Sequence, residues 1–597
     1  MTRPTSILCG LTLTLLGASC LLDRSVGDLE PAGAGGDGQG GEGFQGCVTS
    51  DQCEASATLC QVPACVEGEC TFDNKSAGSS CENGGVCDEE GFCKSSLGQL
   101  CDGPEACYAA SCVDGVCCDT PCDELCASCV VPGLEGTCSP ETSGTVTGEC
   151  PSSWCDGLGS CVAGEHSWGA TFGGFASYAE GFAIAAAGQG TSYLLAEVEW
   201  DVDFGSTMLA TGGSRDVALV KLDAAGAPTW TFHMPSTIDA FAYDVATTND
   251  AGAVGGGFFY GELETKLVPL VSDGGGDGWV VRFGPNASDP PAFAKRIGGT
   301  GEARVFTVAA PPVGDDVLAA GVFSLTVDFG EGTTVDSLGG FDAFVVRLGG
   351  SGNVVWQQTF RGTGASGVAE ILFDGEDTVA VGSFTETVTF DQPQTATGSD
   401  IYVARLDALG TPQSSFTLGS AGNQEVTAAS LMPDGGMVLV GFYDTGFDID
   451  TQSLPFMGVT SLDDDVFVIR LDATGGLMWA RSFNGAGALR AWDLAVDAAG
   501  NISIVGSFEG DATIAGESHS VFNAGYSDGY VVKLAPDGST HWVRVYGQWW
   551  NDALFGVDVD GDGHAYVAGS FDDAVVLDAT TVPAEGYVDA FVVNLGP

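Results

Sequence analysis

The sequence predicts an all-β chain, the C-terminal part of which is one four-stranded unit written seven times. Three observations carry this. A short run of alternating apolar residues recurs behind an aspartate, at Asp216, Asp277, Asp342, Asp400, Asp465, Asp528 and Asp589, a spacing of roughly 60 residues that suits blade-sized repeats. An aromatic opens the strand that follows, at Trp230, Phe293, Trp356, Phe416, Trp479 and Trp542. Between copies lies a second hairpin, and no segment holds a helical period. Two hairpins per repeat give four antiparallel strands, named here a, b, c and d, which is the content of one blade of a β-propeller.

The c–d hairpin is clearest at Asp528–Trp542. Tyr530, Val532 and Leu534 alternate with other side chains, Pro536-Asp537-Gly538 marks the turn, and Trp542 begins the return strand. The a–b hairpin is clearest at Ala491–Phe508. Leu494 and Val496 lie on one strand, Asp497-Ala498-Ala499-Gly500-Asn501 turns, and Ile502, Ile504 and Val505 lead to Gly506-Ser507-Phe508. That ending returns as Gly321-Val322-Phe323, Gly382-Ser383-Phe384 and Gly569-Ser570-Phe571. The connections from b to c and from d to a are expected to be loops sharing one face.

The two ends of the repeat region predict how it closes. The last copy supplies a, b and c and then reads Asn594-Leu595-Gly596-Pro597, with no d. At the other end, His166–Phe172 precedes the first a strand and looks like Trp479–Phe483. Lending that strand to the last copy leaves no open sheet edge. The expectation is a seven-bladed β-propeller over 164–597, closed by an N-terminal outer strand. The pattern resembles the bacterial β-propeller repeats of secreted proteins and, more distantly, the NHL type, as in Leu494-Ala495-Val496-Asp497-Ala498-Ala499-Gly500-Asn501. The resemblance implies a fold; such folds host unrelated activities.

Charge narrows the partners. Lys plus Arg total 19 against 80 Asp plus Glu, a formal charge of −61. Such a surface repels nucleic acid and anionic headgroups, so no nucleic-acid partner is expected. It suits solubility at a crowded cell surface.

All 22 cysteines lie at or before Cys161. Arg3, the apolar run Ile7–Leu16 and Gly17-Ala18-Ser19-Cys20 make a leader too short to span a bilayer. This leader over 1–20 resembles that of bacterial lipoproteins, which implies acylation of Cys20 and attachment to the outer membrane or cell surface; Gly17 stands where that pattern commonly has Leu. Residues 21–46 are Gly-rich and acidic and read as a flexible tether. Over 47–163 the cysteines are dense and large apolar side chains few, so disulfides must stand in for a core. The run Val113–Asp119 followed by Cys122, Cys126 and Cys129 resembles the cysteine-rich repeats of myxobacterial surface proteins. Cys60–Cys70 and Cys81–Cys93 look like small EGF- or Dickkopf-like knots, and spacing leaves their connectivity open. Zinc is the alternative at Cys126-Ala127-Ser128-Cys129, but no second knuckle stands apart from the other cysteines.

Motifs that could carry chemistry are few. Gly525-Tyr526-Ser527-Asp528-Gly529 matches G-x-S-x-G but leads into a strand rather than a helix. Gly362–Gly367 matches G-x-G-x-x-G and joins two strands, with no helix to receive a phosphate. Asp558, Asp560 and Asp562 resemble the first half of a calcium loop, and calcium is the one cofactor considered; the position of the bidentate Glu is Gly569. Gln548-Trp549-Trp550-Asn551-Asp552 is the d–a connection into the last copy. Trp549 and Trp550 could form an aromatic platform for a glycan or a protein, with Asn551 and Asp552 adding hydrogen bonds and Arg490 and Trp492 as neighbours. The acids visible in the sequence gather in b–c loops such as Asp463-Asp464-Asp465. The expectation is a monomeric, non-enzymatic surface lipoprotein that binds a protein or glycan. An extracellular carbohydrate-active enzyme, with paired carboxylates where the a strands meet, is the alternative.

Overall fold

The computed structural model describes residues 166–596 apart from 206, 212, 287, 331, 451, 459–463, 522–525 and 578–579. Ahead of them it describes 49–51, 60–81, 85–101, 106–108, 111–113, 116–119, 127–129, 137–140, 154–155 and 161–162. The leader with Cys20, the tether and Cys126 lie outside these. The chain divides into two compact units, Met1–Lys94 and Ser95–Pro597, with the border inside the cysteine-rich stretch.

In the first unit Gln61–Val66 pairs with Glu69–Asn74, and Cys60–Cys87 and Cys81–Cys93 are disulfides. In the second, Cys101–Cys112, Cys107–Cys117 and Cys118–Cys129 staple a hairpin of Ser111–Val113 and Val116–Cys118. Among the described residues before Phe172, the buried apolar ones apart from Val116 are all half-cystines, so covalent links stand in for a core there. Cys129 spends its sulfur on Cys118, which removes it from a zinc knuckle.

From Tyr178 onward the chain is all-β, a series of four-stranded antiparallel meanders. Their a strands are Tyr178–Ala186, Ala240–Thr247, Ala303–Ala309, Ser366–Asp374, Gly422–Leu431, Leu489–Val496 and Asp552–Val559. In the sixth, Leu489–Val496 pairs with Ile502–Glu509, that with Ser527–Leu534, and that with Thr540–Tyr546. The seventh takes its fourth strand from the other end: His166–Phe172 pairs antiparallel with Asp589–Leu595, Phe172 opposite Ala590 and Trp168 opposite Asn594. Successive a strands pack side by side, and the seventh packs beside the first. Strands b and c, such as Ala253–Phe259 and Asp277–Phe283, are buried on both faces, which is why they read as unbroken apolar runs.

The recurring residues are explained by contacts between strands and between meanders. Each repeat aspartate is buried just ahead of the residues of c that pair with d, and most accept main-chain amides. Asp465 takes the amides of Met457 and Gly485 at 2.6 and 3.0 Å, and Asp589 those of Glu585 and Gly586 at 2.6 and 3.0 Å. Glycine follows d because a side chain there would collide with that carboxylate, at Gly298 with Asp277, Gly547 with Asp528 and Gly173 with Asp589. The d-strand aromatic docks on the c–d turn of the next meander. The indoles of Trp356 and Trp479 donate to the carbonyls of Ala408 and Pro536 at 3.1 Å. Trp168 lies against Gly226 of the first meander, as Trp356 lies against Gly410.

The b–c connections differ from the expected loops. Most carry a hairpin of their own, such as Asp201–Asp203 with Met208–Ala210 and Asp511–Ile514 with Glu517–Ser520. In the third and fourth meanders the b and c strands run on instead, as Val317–Asp328 with Thr334–Leu348. These pieces are too short for a period of two to register in sequence.

Candidate functional site

Every a strand bulges at the same place, between Gly181 and Ala183, Ala242 and Asp244, Val305 and Thr307, Val368 and Glu370, Val426 and Ala428, Ala491 and Asp493, and Leu554 and Gly556. A bulge inserts one residue and re-aims its side chain. The inserted residues are Phe182, Tyr243, Phe306, Ala369, Thr427, Trp492 and Phe555. Phe555 contacts Phe182 at 5.1 Å and Trp492 at 6.1 Å between ring centres, and Tyr243 contacts Phe306 at 5.3 Å. The aromatic series is broken at Ala369 and Thr427.

At the break lies a cavity of about 440 Å³. Phe306 and Phe341 wall it, Ala369 and Val368 form its apolar floor, and Arg304, Glu425, Ser383 and Thr385 bring polar atoms to it. Arg304 pairs with Glu302, and its guanidinium sits 4.6 Å from the centre of the Phe258 ring. Burial holds the Glu425 carboxyl above the ordinary range. Its hydroxyl neighbour Ser383 accepts the amide of Val426 at 3.1 Å.

Two other arginines share this style of support. Arg490 pairs with Asp464 and lies over Phe442 at 4.8 Å and Trp492 at 5.9 Å. Arg215 reaches Glu197 at 3.0 Å and lies over Tyr178 and Phe241 at 5.3 and 5.2 Å. Burial pushes Glu197 up to about 8 although Arg215 and the Ala242 amide oppose it. Stacking and ion pairing fix these cations in a chain that holds few.

One residue beyond the bulge stand Asp244, Glu370 and Asp493, which the sequence reading did not single out; in the seventh a strand the expected calcium ligand Asp558 stands three residues beyond it. Asp244 accepts the amides of Val245 and, from the next a strand, Val308, both at 2.7 Å. Asp493 likewise takes Leu494 at 2.7 Å and Val557 at 2.8 Å. Glu370 accepts the Thr307 hydroxyl at 3.0 Å. Asp558 takes the amide of Ala186 at 2.8 Å, tying the seventh a strand to the first. Burial raises Asp493 to about 8 and Asp244 and Asp558 to about 6, and Glu370 is raised by burial and by the charges of Asp244 and Asp493. The signal was present: an acid interrupts an apolar strand in Tyr243-Asp244-Val245 and Trp492-Asp493-Leu494.

The structure divides the residues singled out from sequence. Arg490 and Trp492 come together at the bulge, where the Trp492 indole donates to Ser507 at 3.2 Å. Trp549, Trp550 and Asn551 are exposed, and Trp550 meets Tyr526 edge-on at 4.8 Å, so the expected single patch resolves into two groups with separate contacts. Asp552 is corrected: it is buried, accepts the amide of Gln548 at 3.0 Å, and burial pushes it up to about 8. It opens a b-paired strand and offers nothing to the surface. The expected trio of Asp558, Asp560 and Asp562 is also divided, because Asp558 turns toward Ala186 while Asp560 and Asp562 gather with His564 within 4.8 Å. Asp560 accepts the amides of Asp562 and His564 at 3.0 Å. Asp472 and Asp497 do the same in other turns, so Asp560 is first a turn residue. Ser527 begins a c strand, away from any helix.

No family model matches the chain, and no curated protein matches it. Among solved structures it is similar to a puromycin hydrolase, at 14% identity and a TM-score of 0.37, over 68% of this chain and 53% of that one. It thus spans about half the length of that protein. Sqt1 from Chaetomium thermophilum is similar at 10% identity and a TM-score of 0.33, over 72% of this chain and 100% of that one. The hemagglutinin-neuraminidase ectodomain of parainfluenza virus 5 follows at 8% identity and a TM-score of 0.29, over 71% and 82%.

Proposed function

We propose that the chain is a cell-surface lipoprotein whose meanders form a seven-bladed β-propeller closed by His166–Phe172, and that the propeller binds a protein or glycan on the face where the a strands bulge. In this reading Cys20 carries the lipid, 21–46 is the tether, and 47–163 is a stapled spacer. The pairing of His166–Phe172 with Asp589–Leu595, and the Asp558 bond to Ala186, support closure. The observation that carries the binding role is the cavity of about 440 Å³ at the break in the aromatic series, a size suited to a small ligand. The protein acts as a monomer outside the cytoplasm and takes no nucleic acid.

The enzyme reading has one observation in its favour. Asp244, Glu370, Asp493 and Asp558 feel one another's charge where the a strands meet, and raised carboxyls suit acid catalysis. Their oxygens, however, are spent on main-chain amides and a threonine of adjoining strands. That favours a structural role.

Two measurements test the proposal. Cys20→Ser should move the protein from membranes to the soluble fraction at high salt, and retention would end the lipoprotein reading. The released chain, screened on glycan and protein arrays, should give ligands whose signal falls with Arg304→Gln and is unchanged by Asp562→Asn. Signals indifferent to Arg304→Gln would remove the binding face from this site.

A further inference from the structure

We propose that the cavity beside Ala369 takes an uncharged sugar ring; this rests on the binding role argued above. The cavity exists because the repeat is broken there. Phe182, Tyr243, Phe306, Trp492 and Phe555 occupy the equivalent bulge position in five meanders, and the methyl group of Ala369 leaves that volume open. At about 440 Å³ it holds one or two small rings and excludes a folded partner.

Its chemistry is two-sided. Phe306 and Phe341 with the floor at Ala369 offer flat apolar surface, which matches the C–H face of a pyranose. Arg304 offers donors, Glu425 offers acceptors, and the Ser383 hydroxyl can donate while it accepts the Val426 amide. A sugar hydroxyl donates and accepts at once, so it can satisfy both walls. Free charge on the ligand is disfavoured. An anionic ring meets Glu425 and a chain of net −61, and the lining, with Arg304 and Glu425 as its only charged side chains, offers a cationic group no net attraction. Arg304 already pairs with Glu302, which leaves hydrogen-bonding capacity rather than an unopposed charge.

The test uses the full chain carrying Cys20→Ser, titrated calorimetrically with neutral oligosaccharides, with uronic-acid or sulfated oligosaccharides, and with short basic and acidic peptides. Neutral oligosaccharides should bind. Ala369→Phe should weaken them by at least about tenfold without lowering the melting temperature, since five meanders already hold an aromatic there. Glu425→Gln, an isosteric change in the lining, should weaken them by about tenfold and keeps the test valid if Ala369→Phe does not fold. Neutral sugars that bind Ala369→Phe and Glu425→Gln as they bind the parent would overturn the inference, as would no binding of any neutral sugar. Charged glycans or peptides that bind instead, and lose affinity with Ala369→Phe, would overturn the sugar assignment while leaving the binding face in place.

Discussion

At the residue scale, the carboxyls beyond the bulge make stability depend on pH in a definite direction. Asp493 is raised to about 8 and Asp244 and Asp558 to about 6, and Glu370 is raised beside them, so the folded chain holds these protons more tightly than the unfolded chain does. Stability is therefore greatest while they are protonated and is lost as pH rises from the ordinary carboxylate range through about 8. The melting temperature should fall between pH 5 and pH 8. In Asp493→Asn that fall should be smaller, because one carboxyl no longer ionises in the enclosed site. The carboxyls held low, such as Asp472 and Asp537, act below this window. Equal slopes in the two proteins would mean that Asp493 is already ionised in the fold.

At the element scale, the bulge explains a glycine that recurs in b. Opposite every bulge but the first, where Ala196 faces Gly181, the carbonyl of the a strand approaches b so closely that no Cβ fits, as at Gly506 with Arg490, Gly321 with Arg304 and Gly441 with Glu425. The c-strand aromatic then seals the spot, and the Tyr530 hydroxyl donates to the Arg490 carbonyl and that of Tyr402 to Gly367, both at 3.0 Å. Gly506→Ala should cost about 1–3 kcal/mol by chemical denaturation, since both carbonyl and ring would have to shift. Gly561→Ala, with open space around it, should stay within about 0.5 kcal/mol. Similar losses in both would show that glycine's backbone freedom, and not the close approach, is what the b strand requires. Among the described residues the indole of Trp542 has no hydrogen-bond partner, and the seventh meander, whose d strand is His166–Phe172, presents no described c–d turn to it.

At the scale of the whole molecule, the N-terminal strand supplies the fourth strand of the last meander. Without it the backbone of Asp589–Leu595 would lose its ladder on one side, beside the buried Phe591 and Val593. A chain starting at Ser177 should aggregate or melt markedly lower than one starting at Gly164, measured by light scattering and calorimetry. Equal behaviour would defeat closure by this strand.

How much was legible follows from what repeats. The strand order, the turns at Asp497 and Pro536, the recurring Asp, Gly and aromatic positions, and the source of the last d strand were all readable. Each is set by local chemistry copied many times, so period and turn signals add up along the chain. The site was not readable in this way. Ala369 carries meaning only when set beside Phe306 and Trp492, and a bulge, which shifts register by one residue, is invisible to a strand pattern of period two. Asp552 and Asp558 were misjudged for a related reason: sequence supplies a carboxylate but not the amide it faces, and both found main-chain partners in the fold. The sequence by itself determined an all-β repeat and its covalently stapled N-terminal stretch, because those rest on periodicity and composition. Only the tertiary structure decided which repeat leaves a cavity and which acids are spent on the frame, because both depend on side chains brought together from repeats far apart in the chain.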